Sequence, residues 1–291
     1  MMNILTVFNI IPDLDLISEA EWASDIVDTR LDFPGVKTVP ETQDESAAEL
    51  ALRFRDAAAA GPADSASAAS VTAGSPDSAA AAAAGDEVRL SAVTLGDAVA
   101  DKALRTLTAL GYQTADRINT DRPGPDNAEA HAALLAEYCR KRGPFDLILT
   151  GTQSGVSGFS QLPLLLAEAL QLPCITEVTG FSAGAEGRIR AEHRTDAGIL
   201  SEDLPTPLLL TIGDVPDTCL RIPTLRQRKA SGSNPPSVIP ASGLSGEFRE
   251  HGMRLQSVSA IDQSRAARRM EGDPDDVAKQ IVQEYIREGT R

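Results

Sequence analysis

The sequence predicts an α/β protein built on a doubly wound, mostly parallel sheet, and three observations carry that expectation. Aliphatic runs short enough for buried strands recur at residues 3–8, 88–95, 145–150, 174–178 and 207–212. Between most of them, apolar residues fall at helical spacing. Strands that alternate with helices pair in parallel through right-handed crossovers.

Each element has its own signal. Asn3-Ile4-Leu5-Thr6-Val7-Phe8 reads as a strand that Pro12-Asp13 breaks. A polar, irregular stretch runs to about Pro40. Thr42 and Glu45 have the spacing of a capping box, and Ala47, Leu50, Ala51 and Phe54 then fall on one helix face. Residues 57–86 are nearly all Ala, Ser, Gly, Pro and Asp. Such a composition buries too little surface to offset its ordering entropy, so it reads as a disordered, low-complexity insertion. Residues 88–95 form the next strand, and Gly96-Asp97 turns it into a helix with Ala100, Ala103, Leu104 and Leu107 on one face. Gly111 ends that helix. A short strand at 114–118 precedes a helix over 127–142, whose stripe is Ala128, His131, Ala132, Leu135 and Cys139. His131 is a structural core histidine on that stripe. A strand at 145–150 and a helix at 161–170 follow. Residues 188–193 make a weaker, antiparallel strand. The chain divides into an α/β domain, 1–212, which the resemblance given below makes nucleotide-binding, and an arm, 213–291. The arm ends in a helix that Asp273-Pro274-Asp275-Asp276 announces, with Val277, Ala278, Ile281 and Tyr285 as its apolar stripe.

Composition removes several functions. The chain has 291 residues, 42% hydrophobic but only 4% aromatic, and a net charge of −15. That field repels nucleic acid and anionic lipid. No apolar run approaches the ~20 residues of a membrane helix, so no membrane insertion is expected. The N-terminus has no positive segment ahead of its first strand and does not read as a signal peptide. Cys139, Cys174 and Cys219 lie far apart, without metal or redox spacing, which points to a reducing, cytoplasmic setting.

The segment of most chemical interest is Gly151-Thr152-Gln153-Ser154-Gly155-Val156-Ser157-Gly158-Phe159-Ser160-Gln161-Leu162, between a strand and a helix. In a parallel sheet, ligands bind beyond the carboxyl ends of strands. Its glycines admit close backbone approach, its serines offer hydroxyls, and the helix behind it presents free N–H groups to an anion. It is neither a Walker A loop nor G-x-G-x-x-G, so spacing alone leaves a phosphate site and a plain flexible turn both open. A serine hydrolase built on Ser154 or Ser157 lacks the G-x-S-x-G elbow.

Five segments, taken in order, resemble the β subunit of electron transfer flavoproteins, including its FixA-type members. They are Ile11-Pro12-Asp13; Asp44-Glu45 with the helix behind it; Val93-Thr94-Leu95-Gly96 through Leu110-Gly111; Asp146 to Gln153, followed at family spacing by Gln161, Leu166-Ala167-Glu168 and Pro173; and Arg221-Ile222-Pro223-Thr224-Leu225 downstream of residues 206–211. The resemblance spans residue 3 to the end, apart from 57–86. It implies an adenine-nucleotide α-hydrolase-like fold and an electron carrier rather than an enzyme that converts a substrate. It implies an α subunit as partner in a heterodimer, FAD shared with that subunit, and AMP, or a second FAD in bifurcating members, held by this chain. Carried over by position, the cofactor contacts fall at Val7, at Glu41, Thr42, Gln43 and Asp44, at Leu95 and Gly96, and at Gly151 to Leu162. Arg221, Pro223 and Leu225 fall in the loop that docks redox partner dehydrogenases. Arg194 falls where a residue borders the flavin. Without its α subunit, the chain is expected to self-associate as a homodimer through the same surface.

The chain also departs from the family pattern. Asn9 replaces a lysine, Glu41-Thr42 replaces Asn-Pro, Val156-Ser157-Gly158-Phe159 replaces Asp-Gly-Asp-Thr, and Arg194 replaces a glutamate. These changes keep a second reading open: a nucleotide-binding regulatory module on the same fold, without electron transfer. The basic group Arg221, Arg226, Arg228 and Lys229 reads either as a solvated face or as a docking surface, and Leu225 among those charges either as a buried anchor or as an exposed partner contact.

Overall fold

The computed structural model describes residues 1–18, 26–27, 30–31, 35–60, 87–120, 128–153, 159–232, 236–244 and 269–287. Two short antiparallel pairs stand apart from the main sheet: β2 (Ile10–Pro12) with β5 (Thr38–Pro40), and β3 (Ile26–Val27) with β4 (Arg30–Leu31). The other nine strands form one sheet. They are β1 (Met2–Val7), β6 (Val88–Leu95), β7 (Thr114–Asn119), β8 (Leu147–Gly151), β9 (Cys174–Ala183), β10 (Ile189–Thr195), β11 (Gly198–Leu204), β12 (Leu208–Ile212) and β13 (Ser237–Pro240), in the spatial order β11-β10-β9-β12-β8-β1-β6-β7-β13. Pairing is parallel from β9 through β12, β8, β1, β6 and β7 to β13. Only β10 runs against the others, pairing antiparallel with β9 on one side and β11 on the other. The expected doubly wound, mostly parallel sheet is therefore present.

Alternation along the central strands divides the core between two faces. Ile4, Leu90, Ala92, Leu147, Leu149, Leu208, Leu210 and Ile212 pack with helix α1 (Thr42–Ala60) and helix α2 (Asp101–Ala109). Leu5, Val93, Ile148 and Leu209 face helix α3 (Ala128–Arg142) and helix α4 (Leu162–Leu170). Strands covered on both faces are largely apolar, as in β8 (LILTG) and β12 (LLLTI), every residue of which is buried. Leu147 and Leu149 are fully buried, so truncating either to Ala costs about 2–5 kcal/mol. The hydroxyl of Tyr112 enters the first face without an unmet bond: it donates to the Ala48 carbonyl at 3.1 Å and lies 3.1 Å from Thr6 Oγ1.

Several expectations need correction. Helix α1 begins at Thr42, and the Glu45 amide bonds to the Glu41 carbonyl. Glu41, rather than Thr42, therefore occupies the capping position. The helix also continues through residues 57–60, which composition assigned to the low-complexity insertion. Alanine is the best helix former, and a run attached to an existing helix needs no new nucleus. The rest of that insertion, 61–86, lies outside the described residues. Strand β11 and strand β13 lie in stretches whose patterning gave no strand signal. All of β11 is exposed or half-buried at the sheet edge, so no burial imposes an apolar pattern on it.

The terminal helix is present as α6 (Pro274–Ile281), continued by a π-helical turn, Val282–Arg287. Asp273 caps it by accepting from the Asp275 amide at 3.0 Å. Of its expected stripe, Val277 is half-buried and Ala278, Ile281 and Tyr285 are exposed, as are Val282 and Ile286.

Candidate functional site

Successive strands run outward in opposite directions from the β1–β8 boundary. From β1 the chain crosses to β6 and then β7, whereas from β8 it moves to the other side, toward β12 and β9. This is a topological switch point, and the crevice beyond the carboxyl ends of such strands is where open α/β sheets bind ligands. Val7 ends β1, Leu95 ends β6 and Gly151 ends β8, so adjacent strands bring these sequence candidates to one edge. The start of α1 packs on the same edge.

The contacts there are specific. Asp44, buried in the first turn of α1, accepts a 2.7 Å hydrogen bond from the Asn9 amide and a 2.6 Å bond from the Gly151 amide. One carboxylate thus bridges the ends of β1 and β8. Gln43 accepts from the Gln153 amide at 2.7 Å and donates to Asp214 at 3.0 Å. The Thr152 amide donates to the Ile212 carbonyl at 3.0 Å, and its hydroxyl lies 2.8 Å from that of Thr211. The first three amides of the loop are therefore committed inside the protein. A Cβ on Gly151 would stand 2.7 Å from Asp44 Oδ1 and 3.0 Å from Gln43 Cβ. At that position glycine is required by the approach of α1, a cause that loop composition does not reveal.

Burial dominates the electrostatics. It pushes Asp44 up from 3.8 to about 7, against the lowering effect of the Asn9 and Gly151 amides, with Glu41 adding a further upward push. Glu41 is buried at the start of α1, and Glu45 is likewise raised by burial.

The neighbouring turn has a different support. Gly96 has φ +142°, with open space where a Cβ would stand. The buried Arg117 donates to the Gly96 carbonyl at 3.3 Å, to Asn119 at 2.8 Å and to Asp101 at 2.8 Å.

Beyond Gln153 the described loop resumes with a short 3₁₀ turn, Phe159–Gln161, leading into α4. Ser160 and Gln161 are exposed, Leu162 is half-buried, and no side chain caps the helix. Ser154, Gly155, Val156, Ser157 and Gly158 lie outside the described residues, and with them the serines of the hydrolase reading. Arg194, near the end of β10, is exposed and donates to the Asp214 carbonyl at 3.4 Å. It therefore sits near the α1 end through a shared neighbour, Asp214.

The Arg221–Leu225 segment divides between anchor and surface. Arg221 forks onto Glu49 of α1 at 2.8–3.1 Å and reaches Asp56 at 2.6 Å. Pro223 is buried. Ile222 and Leu225 are instead 81% and 76% exposed. Leu225 opens a short helix, α5 (Leu225–Ala230), which Thr224 and Gln227 close with a capping box. Sequence reasoning placed Arg221 on the docking surface without its ion pair. Glu49 lies 172 residues earlier, and no local pattern joins the two.

Other groups carry less. His131, largely buried, has its pKa lowered by burial. His193 has Glu202 3.6 Å from Nε2 across the β10–β11 pair. No group of three or more His, Cys, Asp or Glu among the described residues could hold a metal. No described helix is long and apolar enough to cross a membrane.

The fold is a doubly wound α/β sheet whose switch-point edge is braced by Asp44 and Gln43. Comparison with known proteins shows what the chain is similar to. The model for the electron transfer flavoprotein domain matches residues 78–215. The protein named "Putative electron transfer flavoprotein subunit YgcR" of Escherichia coli is 28% identical over 289 residues, 99% of this chain and 98% of its own length. The electron transfer flavoprotein subunit beta of Bacillus subtilis is 26% identical over 195 residues, 66% of this chain and 75% of its own. That of Syntrophomonas wolfei is 25% identical over 191 residues, 66% of this chain and 72% of its own. The chain is thus similar to the electron transfer flavoproteins, and among them to their β subunits.

Proposed function

We propose that this chain is the β-type partner of an α-type electron transfer flavoprotein subunit. It borders an FAD held mainly by that subunit, carries an adenine nucleotide (AMP or a second FAD) in its own crevice, and docks redox partner proteins. The chain does no bond chemistry on a substrate. FAD supplies the electron-carrying chemistry, and the residues here orient, shield and dock.

The observation that carries this reading is the convergence of Val7, the α1 start, Leu95-Gly96 and the post-β8 loop on the switch-point edge. The start of α4, which no side chain caps, adds the positive end of a helix dipole to the same loop. Arg194 extends the same edge toward the β10–β11 pair. Apolar surface left open on Ile199 and Leu200 of β11, and on Ile281, Tyr285 and Ile286 of the terminal helix, fits coverage by a partner subunit. The exposed Leu225 on a capped turn, tied back to α1 through Arg221, fits a docking contact.

The two parts proposed from the sequence follow the same division: residues 1–212 hold the nucleotide, and 213–291 reach the partners. The test is co-expression with an α-type subunit, followed by an absorption spectrum of the purified pair. A flavin spectrum is expected. A colourless but intact pair would favour the regulatory-module reading, which the substitutions at Arg194 and in the loop also motivate.

A further inference from the structure

The acidic side chain of Asp44 and the amide of Gln43 sit where family position suggested cofactor contacts, yet both are turned to the protein. Each Asp44 oxygen is taken by a backbone amide, one from Asn9 and one from Gly151. The Gln43 side chain spans Gln153 and Asp214. With Thr152 tied to Ile212, none of the amides of residues 151–153 is free for a ligand.

We propose that Asp44 and Gln43 are positioning residues: they fix the height of the loop after β8 against the start of α1, so that ligand contacts fall beyond Gln153, from Ser160 onward among the described residues. This inference rests on the nucleotide reading above. Its physical basis is the combination of two short bonds to one buried carboxylate and a glycine that leaves no room for slippage.

A carboxylate used as a brace leaves a signature that packing alone does not. Among the described residues, Glu41 is the charged group that acts on Asp44, while Glu45, next in the chain, has Lys37 beside it. Beyond β1 and β8 its neighbours are the uncharged Asn9 and Gly151, and Asp214 reaches the same turn only through Gln43. Burial places its titration near 7. The ionised form accepts both amides, whereas protonation converts one oxygen to a donor and weakens one bond. The amide resonances of Gly151 and Asn9 therefore report the brace without any ligand.

The experiment uses the full chain with nitrogen-15-labelled glycine, recorded from pH 5.5 to 8.5, together with calorimetry of AMP binding. The Gly151 amide is expected to titrate with a midpoint near 7 in the unaltered chain and to lose that step in Asp44→Asn. AMP affinity is expected to fall about tenfold or more in the same variant. Gln43→Met removes both Gln43 bonds at similar volume, and the same direction of change is expected; it decides the matter if Asp44→Asn does not fold. A Gly151 amide resonance that is the same in Asp44→Asn as in the unaltered chain at every pH would overturn the brace. Unchanged AMP affinity in a folded variant would overturn the positioning role. If the unaltered chain, alone and with its α-type partner, binds neither AMP nor FAD, the nucleotide reading fails and the ligand half of this inference with it, while the Gly151 titration still decides the brace.

Discussion

Arg221 and Glu49 form a forked ion pair across 172 residues of chain, with guanidinium-to-carboxylate distances of 2.8–3.1 Å. The Glu49 side chain is nearly fully buried, whereas Arg221 keeps partial contact with water. Removing the cation leaves a buried carboxylate with Arg53, at 3.2 Å, as its remaining ion-pair partner. Arg221→Ala should therefore cost roughly 1–3 kcal/mol, below the range for fully buried pairs because the guanidinium is partly solvated. Arg221→Lys should recover only part of this, since an ammonium cannot match the planar fork. Urea denaturation of both variants checks the ranking.

Leu225 lies on the other side of the same segment, in water. Leu225→Ala should change stability by less than about 0.5 kcal/mol, as exposed substitutions do. It should slow reduction by a partner dehydrogenase. A loss of stability with unchanged electron transfer would make Leu225 part of the fold rather than of the docking surface.

Gly151→Ala tests how closely α1 approaches the loop. Its new methyl group would meet Asp44 Oδ1 at 2.7 Å, the Asp44 amide nitrogen at 3.2 Å and Gln43 Cβ at 3.0 Å. Backbone has to shift, at a cost of about 1–3 kcal/mol. Thermal unfolding should show a clear drop. An unchanged transition would mean that α1 moves away freely.

The pH dependence of stability follows from Asp44. Its folded pKa, about 7, lies above the ordinary 3.8. The folded state thus binds the proton more tightly, and the contribution is fully present below 3.8 and lost as pH rises to 7. Relative to Asp44→Asn, the unaltered chain should gain stability as pH falls through this window, by roughly 3–5 kcal/mol in total. Using the difference removes the other carboxylates. Parallel pH profiles for the two proteins would contradict the burial argument.

Elements covered on both faces were legible in the sequence, because burial imposes an apolar run on them. Strands β6, β8 and β12 and helices α2, α3 and α4 all fell within a few residues of their expected places. The edge strands β11 and β13 were not legible, because a strand that keeps one side in water carries no such run. The candidate site was legible as a set of strand ends, since loops after parallel strands have a fixed place in the fold. The role of each side chain was not. Family position makes Asp44 a cofactor contact, and only the meeting of residues 9, 44 and 151 turns it inward as a bridge between strand ends. The same holds for Arg221, whose partners lie on a helix far away in the chain.

The most direct test of the account is chemical. The chain should be purified natively with its α-type subunit and denatured, and the released nucleotides identified by chromatography and mass spectrometry. The account predicts FAD together with AMP, or FAD in excess of one per pair. Release of no flavin and no adenine nucleotide from an intact pair would contradict it.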